Sequence, residues 1–199
     1  MVSTEVLKKD IVLENNRVLL TPMTQDHYSE LSKIAFDPSL WEIAITLIKT
    51  GADLKQYIEI ALNEKKAGLA YPFVIMDKVS GNIAGSTRYG SISHEHKRLE
   101  IGWTWLAKNH QGTGLNKACK YELLKFAFEG LDFNRVELKT DFINQQSRKA
   151  IRKIGAKEEG VFRSHCITPN RRIRDTVYYS IIKSEWEGIK KNIFLEFVN

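Results

Sequence analysis

Leu99-Glu100-Ile101-Gly102-Trp103-Thr104-Trp105-Leu106, followed shortly by Gln111-Gly112-Thr113-Gly114-Leu115-Asn116, is the stretch whose reading decides the fold. In its first half Leu99, Ile101, Trp103 and Trp105 alternate with Glu100, Gly102 and Thr104. That is a β-strand with two distinct faces. Its second half is a Gly-rich turn opening a helix to about Glu129, with Cys119, Leu123, Phe126 and Ala127 on one face and Gly130 at the end. Gly112 and Gly114 can take positive φ and put no side chain in the way. The first turn of the helix leaves backbone N–H groups pointing outward, and the helix dipole adds positive potential there. Together they form an anion cradle suited to a phosphate or diphosphate; the alternative is a tight strand-to-helix turn with glycines for geometry alone. The stretch lacks the Lys-Ser/Thr ending of an ATP-binding P-loop and the third glycine of a dinucleotide fingerprint.

Outward from this unit, Val136, Leu138 and Thr140 alternate with Glu137 and Lys139, a short strand. The strand–helix–strand segment 99–140 is expected as a right-handed crossover with parallel neighbours. A helix follows over Gln145–Ile154 with Gly155 as its C-cap. Then come two long β segments, Lys157–Ile167 and Arg172–Lys183, joined at Pro169-Asn170. The tail from Glu185 is expected as a short helix holding Ile189, Ile193, Leu195 and Phe197. Upstream, a strand at Arg17–Thr21 ends at Pro22, and Thr24 caps an expected helix over Gln25–Phe36. A second helix over Ala52–Ala67 carries Leu54, Ile58, Ala61 and Leu62 at helical spacing. Tyr71–Asp77 and Ile83–Ile92 read as antiparallel partners. The predicted order β-α-α-β-β-β-α-β-α-β-β calls for a mixed α/β fold. No repeat or linker interrupts it, so residues 1–199 read as one domain, with a core of about 12–186 and a helical tail over 185–199.

Of the 199 residues 43% are hydrophobic and 27% charged, which is the balance of a globular chain. Two cysteines exclude a disulfide scaffold and a Cys-rich zinc module. No apolar run reaches the roughly 18 residues of a membrane span. The start, MVSTEVLKKD, carries Glu5 and Asp10 and lacks the apolar core of a secretory signal, so a cytoplasmic protein with reduced thiols is expected. The net charge of +6 is spread out, densest at Arg171, Arg172 and Arg174, and no nucleic-acid or membrane partner is expected from it. His94-Glu95-His96 has the look of a metal pair without a third ligand, so no metal site is expected. Cys119 reads as core, and Cys166 has no neighbour to activate it. Trp103 and Trp105 read as core and cleft wall rather than a base-stacking platform.

Taken together, Leu99–Leu106, Gln111–Asn116, Arg135–Thr140 and Asn144-Gln145-Gln146-Ser147 resemble the motif set of the GNAT superfamily of N-acetyltransferases, in the branch of the ribosomal-protein N-terminal acetyltransferases. The resemblance covers roughly residues 12–186. It implies an acyltransferase fold with a mostly antiparallel central sheet, flanking helices, and a parallel fourth and fifth predicted strand that splay apart. It also implies acetyl-CoA as acetyl donor, with the pantetheine arm in the gap. Backbone groups of Trp105 and Leu106 would pair with that arm like an added strand, and N–H groups near Trp105 would polarise the thioester carbonyl. Gln111, Gly112, Thr113, Gly114, Leu115 and Asn116 would hold the diphosphate. Lys117 and Lys120 would meet further phosphate charge or else form a solvated helix face. Asn144 would cap its helix and touch the pantetheine.

Two departures from the family pattern stand out. Asn116 occupies a place usually taken by Gly or Ala. Ile151 stands where many relatives carry a Tyr that protonates the leaving thiolate. Ser147 is the substitute acid implied by the resemblance; its other reading is a Ser supporting the first turn of its helix. Glu100 is the candidate base, taking a proton from the attacking amine directly or through water. Its other reading is a salt bridge, to Arg88 or Arg98. The expected reaction is direct transfer of acetyl to a primary amine in a ternary complex. A protein or peptide N-terminus leads as acceptor, with a polyamine, antibiotic or amino acid as the alternative. A non-catalytic CoA-binding module and a basic nucleic-acid-binding domain are rivals from other classes. A homodimer is plausible for this branch.

Overall fold

Eight strands form one open mixed sheet in the order β1-β2-β3-β4-β5-β6-β8-β7 in the computed structural model, which describes residues 5–198. The first four residues of the MVSTEVLKKD reading lie outside the described residues. The strands are β1 (Leu13–Glu14), β2 (Val18–Pro22), β3 (Tyr71–Asp77), β4 (Asn82–Ser93), β5 (Arg98–Leu106), β6 (Arg135–Asp141), β7 (Lys157–Ile167) and β8 (Ile173–Ile182). All neighbours are antiparallel except β5 and β6. The helices are α1 (Tyr28–Ser32), α2 (Gly51–Lys66), α3 (Leu115–Lys125), α4 (Gln145–Lys153) and α5 (Lys183–Ile193).

Each face of the sheet buries its own core. On one, Leu20, Phe73, Tyr89, Leu99, Val136 and Val177 pack against Leu115, Cys119 and Leu123 of α3 and Trp186 of α5. On the other, Val74 and Trp105 meet Leu31, Trp41, Leu54 and Ile58 from α1, α2 and the chain between them. Helix α2 starts where the sequence offers a cap: the Thr50 side chain accepts from the Asp53 amide, and the Asp53 carboxylate takes the Thr50 amide.

The structure departs from the sequence expectation at several places, among them the added edge strand β1. The helix expected over Gln25–Phe36 is a 3₁₀ turn at Gln25–His27 and five residues of α1. Beyond it the Ala35 carbonyl accepts from the Trp41 indole, and Leu31, Ala35 and Trp41 are buried by tertiary packing rather than by a continued helix. The helix after the Gly-rich turn leaves α geometry at Lys125 and ends in one π turn, Phe126–Gly130, with Leu131 N–H donating to the Phe126 carbonyl at 2.9 Å. That wider turn accompanies burial of both Ala127 and Phe128.

In the tail, Phe194 and Trp186 are the buried residues, while Leu195 is exposed. Finally, β5 does not keep one apolar face. Ser86 pairs with Trp105 and Arg88 with Gly102, so β5 carries an extra residue, and Trp103 takes φ 49°. This bulge switches the alternation. Leu99, Ile101 and Leu106 face α3, and Trp105 faces α2.

Candidate active site

The parallel pairing of β5 and β6 is short. Arg98, Leu99 and Glu100 pair with Arg135, Val136 and Glu137, and there the ladder stops, although β5 runs on to Leu106 and β6 to Asp141. The two strands therefore part, leaving an open edge on each. A Cβ on Gly85 of β4 would come within 2.0 Å of the Trp105 carbonyl oxygen, so that carbonyl faces β4. Strand alternation then turns the backbone of Leu106 toward the gap. The Leu106 carbonyl accepts from Gln111 Nε2 at 2.9 Å, and Gln111 Oε1 accepts from Gln146 Nε2 at 3.3 Å. Gln111 thus ties the end of β5, through the turn, to α4 across the mouth of the gap.

The turn itself has the geometry the glycines require. Gly112 has φ 74° and Gly114, the residue before α3, φ 87°. A Cβ added to either would meet nothing within 4 Å, so the outer side of the turn is open to a ligand that approaches the backbone closely. The first intrahelical bond runs from Ala118 N–H to the Gly114 carbonyl, which leaves the amides of Asn116 and Lys117 ahead of it. Thr113 Oγ donates to the His110 carbonyl at 2.8 Å and accepts from the Leu115 amide at 3.4 Å. Asn116 Oδ1 is buried without a partner. The positive-φ glycines and the free amides ahead of Ala118 fit an anion bound by main-chain donors at a helix mouth; the Asn116 oxygen, an acceptor, does not add to that fit.

Lys117 and Lys120 of α3 behave differently from the phosphate-facing pair implied by the family resemblance. Lys117 is ion-paired with Glu196 of the tail and lies 5.8 Å from the Phe194 ring centre. Lys120 is only 5% exposed, so a solvated helix face is overturned, and its Nζ donates to Thr104 Oγ1 of β5 at 2.7 Å. Burial pulls its pKa down to about 8. The α3 stripe was legible up to a point: Cys119 is core as expected, and burial pushes its thiol up to about 11.

At the point where β5 and β6 part, Glu100 is 8% exposed and accepts from Lys139 Nζ at 2.8 Å. Its partner is therefore neither Arg88 nor Arg98. Arg88 pairs with Glu64 and lies over the Tyr57 and Trp103 rings, and Arg98 pairs with Glu137. Lys139 Nζ also lies 3.6 Å from Glu137 and 4.8 Å from the Tyr178 ring centre. Burial presses on the Lys139 ammonium, but the hydrogen bond and charge of Glu100 outweigh it and raise its pKa. Two carboxylates and an aromatic face thus already hold one primary ammonium here.

Asn144 caps α4, its Oδ1 accepting from the Ser147 amide at 3.0 Å. Ser147 is half-buried on the first turn of α4, one residue beyond Gln146, and Ile151 is buried. Among the described residues Ser147 and Glu100 make no hydrogen bond to each other. No group of three or more His, Cys, Asp or Glu among them could hold a metal. No described helix is long and apolar enough to cross a membrane.

Sequence reasoning did not single out Lys139, Glu137 and Tyr178 as neighbours of Glu100. The period-two pattern of 136–140 placed Glu137 and Lys139 on one face, but only the parallel register sets that face beside Glu100.

The acetyltransferase (GNAT) domain family matches residues 17–157. A Bacillus subtilis (strain 168) protein provisionally named ribosomal N-acetyltransferase YdaF is 35% identical over 136 residues, 68% of each chain. A crystal structure from T. thermophilus, provisionally named an acetyltransferase, is 31% identical with a TM-score of 0.84, covering 94% of this chain and 97% of that one. Mycobacterium smegmatis RimJ, solved in complex with CoA-disulfide, shares the fold at 20% identity, with a TM-score of 0.78 and 94% of each chain covered. With its splayed parallel strands and glycine-bounded helix mouth, this chain belongs to the GNAT family and is an acetyl-CoA-dependent N-acetyltransferase.

Proposed function

We propose that the acetyl acceptor is the N-terminal amine of a protein or peptide, bound at Glu100 on the side of the sheet away from α3. The observation that carries this reading is the Lys139 ammonium held at 2.8 Å by Glu100 beside Glu137 and the Tyr178 ring. An acceptor amine that displaces Lys139 would meet the same Glu100 carboxylate, at the point where β5 and β6 part. The provisional ribosomal N-acetyltransferase name of the 35% identical relative favours a protein N-terminus over a small amine.

In this reading the main-chain amides of Gly112 to Asn116 hold the diphosphate of acetyl-CoA. Gln111 and Thr113 fix the turn, and Lys117 supplies charge when released from Glu196. The open edge at Leu106, with Trp105 behind it and Asn144 opposite, takes the pantetheine arm. Acetyl-CoA brings the activated acetyl group. Glu100 accepts the proton of the acceptor amine, and the Ser147 hydroxyl donates a hydrogen bond to the departing sulfur, in place of the Tyr that Ile151 replaces. The reading includes one cytoplasmic domain and a homodimer through β7, an exposed edge strand carrying Phe162 and Ile167.

A panel of peptides with Ala, Ser or Met at the N-terminus, together with polyamines and amino acids, tests the reading with acetyl-CoA turnover. Acetylation of free α-amines on peptides is the expected result. Product from polyamines alone would transfer the acceptor to the small-amine class. Tight CoA binding with no product from any acceptor would reduce the chain to a CoA-binding module. Duplex or RNA binding that persists at saturating CoA would favour the nucleic-acid reading instead.

A further inference from the structure

The six residues Gln111–Asn116 include no cation, yet the diphosphate and 3′-phosphate of CoA carry several negative charges. Main-chain donors alone answer part of that charge. The nearby cations on α3 are engaged elsewhere: Lys117 with Glu196, and Lys120 beneath the sheet face on Thr104. One guanidinium reaches the turn from another element. Arg17, at the entry to β2, pairs one terminal nitrogen with Asp77, and its other, Nη2, lies 3.5 Å from Thr113 Oγ1.

The support behind Arg17 is unusual for a surface arginine. Asp77 is 4% exposed and is also bonded by the Val79 amide at 2.9 Å and His110 Nδ1 at 3.1 Å. Burial pushes the Asp77 carboxyl up, but the Val79 amide and the Arg17 charge outweigh it, so it stays ionised below the usual carboxylate range. His110 ends the 3₁₀ turn just ahead of Gln111, and its carbonyl receives Thr113 Oγ. One buried carboxylate therefore fixes both the arginine and the backbone of the turn. The Arg17 side chain keeps 22% exposure. A planar fork locked at one prong, with the other at the rim of an anion cradle, is preorganised to take phosphate oxygens.

We propose that Arg17 is a phosphate-binding residue for acetyl-CoA, set in place by Asp77 and His110. The proposal rests on the placement of the carrier's diphosphate at the 111–116 turn. Calorimetric titration of the full chain with CoA and with 3′-dephospho-CoA, at low and high salt, tests it without any acceptor. Arg17→Met is expected to weaken CoA binding about tenfold or more, as loss of one charge-assisted contact does. It should also flatten the salt dependence of the affinity, which a merely structural role would not do. Equal loss with both ligands assigns the contact to the diphosphate; loss with CoA alone assigns it to the 3′-phosphate.

Arg17→Gln removes the charge while keeping a polar side chain, so it carries the same expectation should Arg17→Met fail to fold. Wild-type affinity and salt response in a folded variant would overturn the role of Arg17 and leave the proposed function standing. A wild-type protein that binds neither ligand would overturn both.

Discussion

The two sides of the β5–β6 gap are built from different material. On the α3 side the site is backbone: two glycines at positive φ, the amides that open α3, and Gln111 and Thr113 bonding main-chain carbonyls. On the other side it is side chain: Glu100 from β5, Glu137 and Lys139 from β6, Tyr178 from β8. In the proposed reading the main-chain cradle serves a ligand that never changes, the carrier's phosphates. A side-chain cluster can be re-set residue by residue for a different acceptor. Within one enzyme the first is constrained by conformation and the second by register.

The comparison can be broken most sharply at Gly114. At φ 87° a β-branched residue is strained, and its side chain would fill the open space above the turn. Gly114→Val is expected to weaken CoA binding by a hundredfold or more with the sheet intact. Circular dichroism beside titration checks it, and normal affinity would show that the turn is not where the carrier sits. Glu100→Gln tests the opposite side. Turnover should fall about a hundredfold and the pH–rate profile should change, while CoA affinity holds. An unaltered rate and profile would leave Glu100 a salt-bridge partner of Lys139 and nothing more.

Ser147→Ala has a smaller expected effect, about tenfold on the chemical step in single-turnover experiments. A near-normal rate would return Ser147 to supporting the first turn of α4.

Lys120→Met separates the carrier side from the core beneath it. Burial lowers the Lys120 pKa from its ordinary 10.5 to about 8. Between those values the unfolded chain holds a proton that the folded chain has released. Stability therefore rises with pH across that window, and below about pH 8 the full cost of the buried charge is present. The methionine variant should gain about 1–3 kcal/mol at pH 7 and lose that rise, with CoA affinity unchanged. Denaturant unfolding at pH 7 and pH 10 reads it. A drop in CoA affinity would instead place Lys120 in the phosphate site.

The same division explains what was legible. The Gly-rich turn, the cap at Asn144 and the strand at Tyr71–Asp77 could be read because each is a local matter: positive φ, a capping side chain, an apolar run. The faces of β5 could not, because the bulge at Trp103 depends on how β4 pairs with it. Nor could the collapse of the Gln25–Phe36 helix, where the Trp41 indole bonds the Ala35 carbonyl. The alternative reading of Glu100 as a salt-bridge partner offers Arg88 or Arg98, near in sequence, whereas a lysine 39 residues away holds it.

The amino-acid sequence by itself determined the family and the Gly-rich turn that opens α3, since glycine spacing and strand period act over a few residues and leave a local trace. Tertiary structure alone decided which cation faces which anion: Lys139 on Glu100, Lys120 inside, Lys117 on Glu196, Arg17 at the rim of the turn. Charges act through space, and their neighbours are chosen by sheet order and register, which no short stretch of chain encodes.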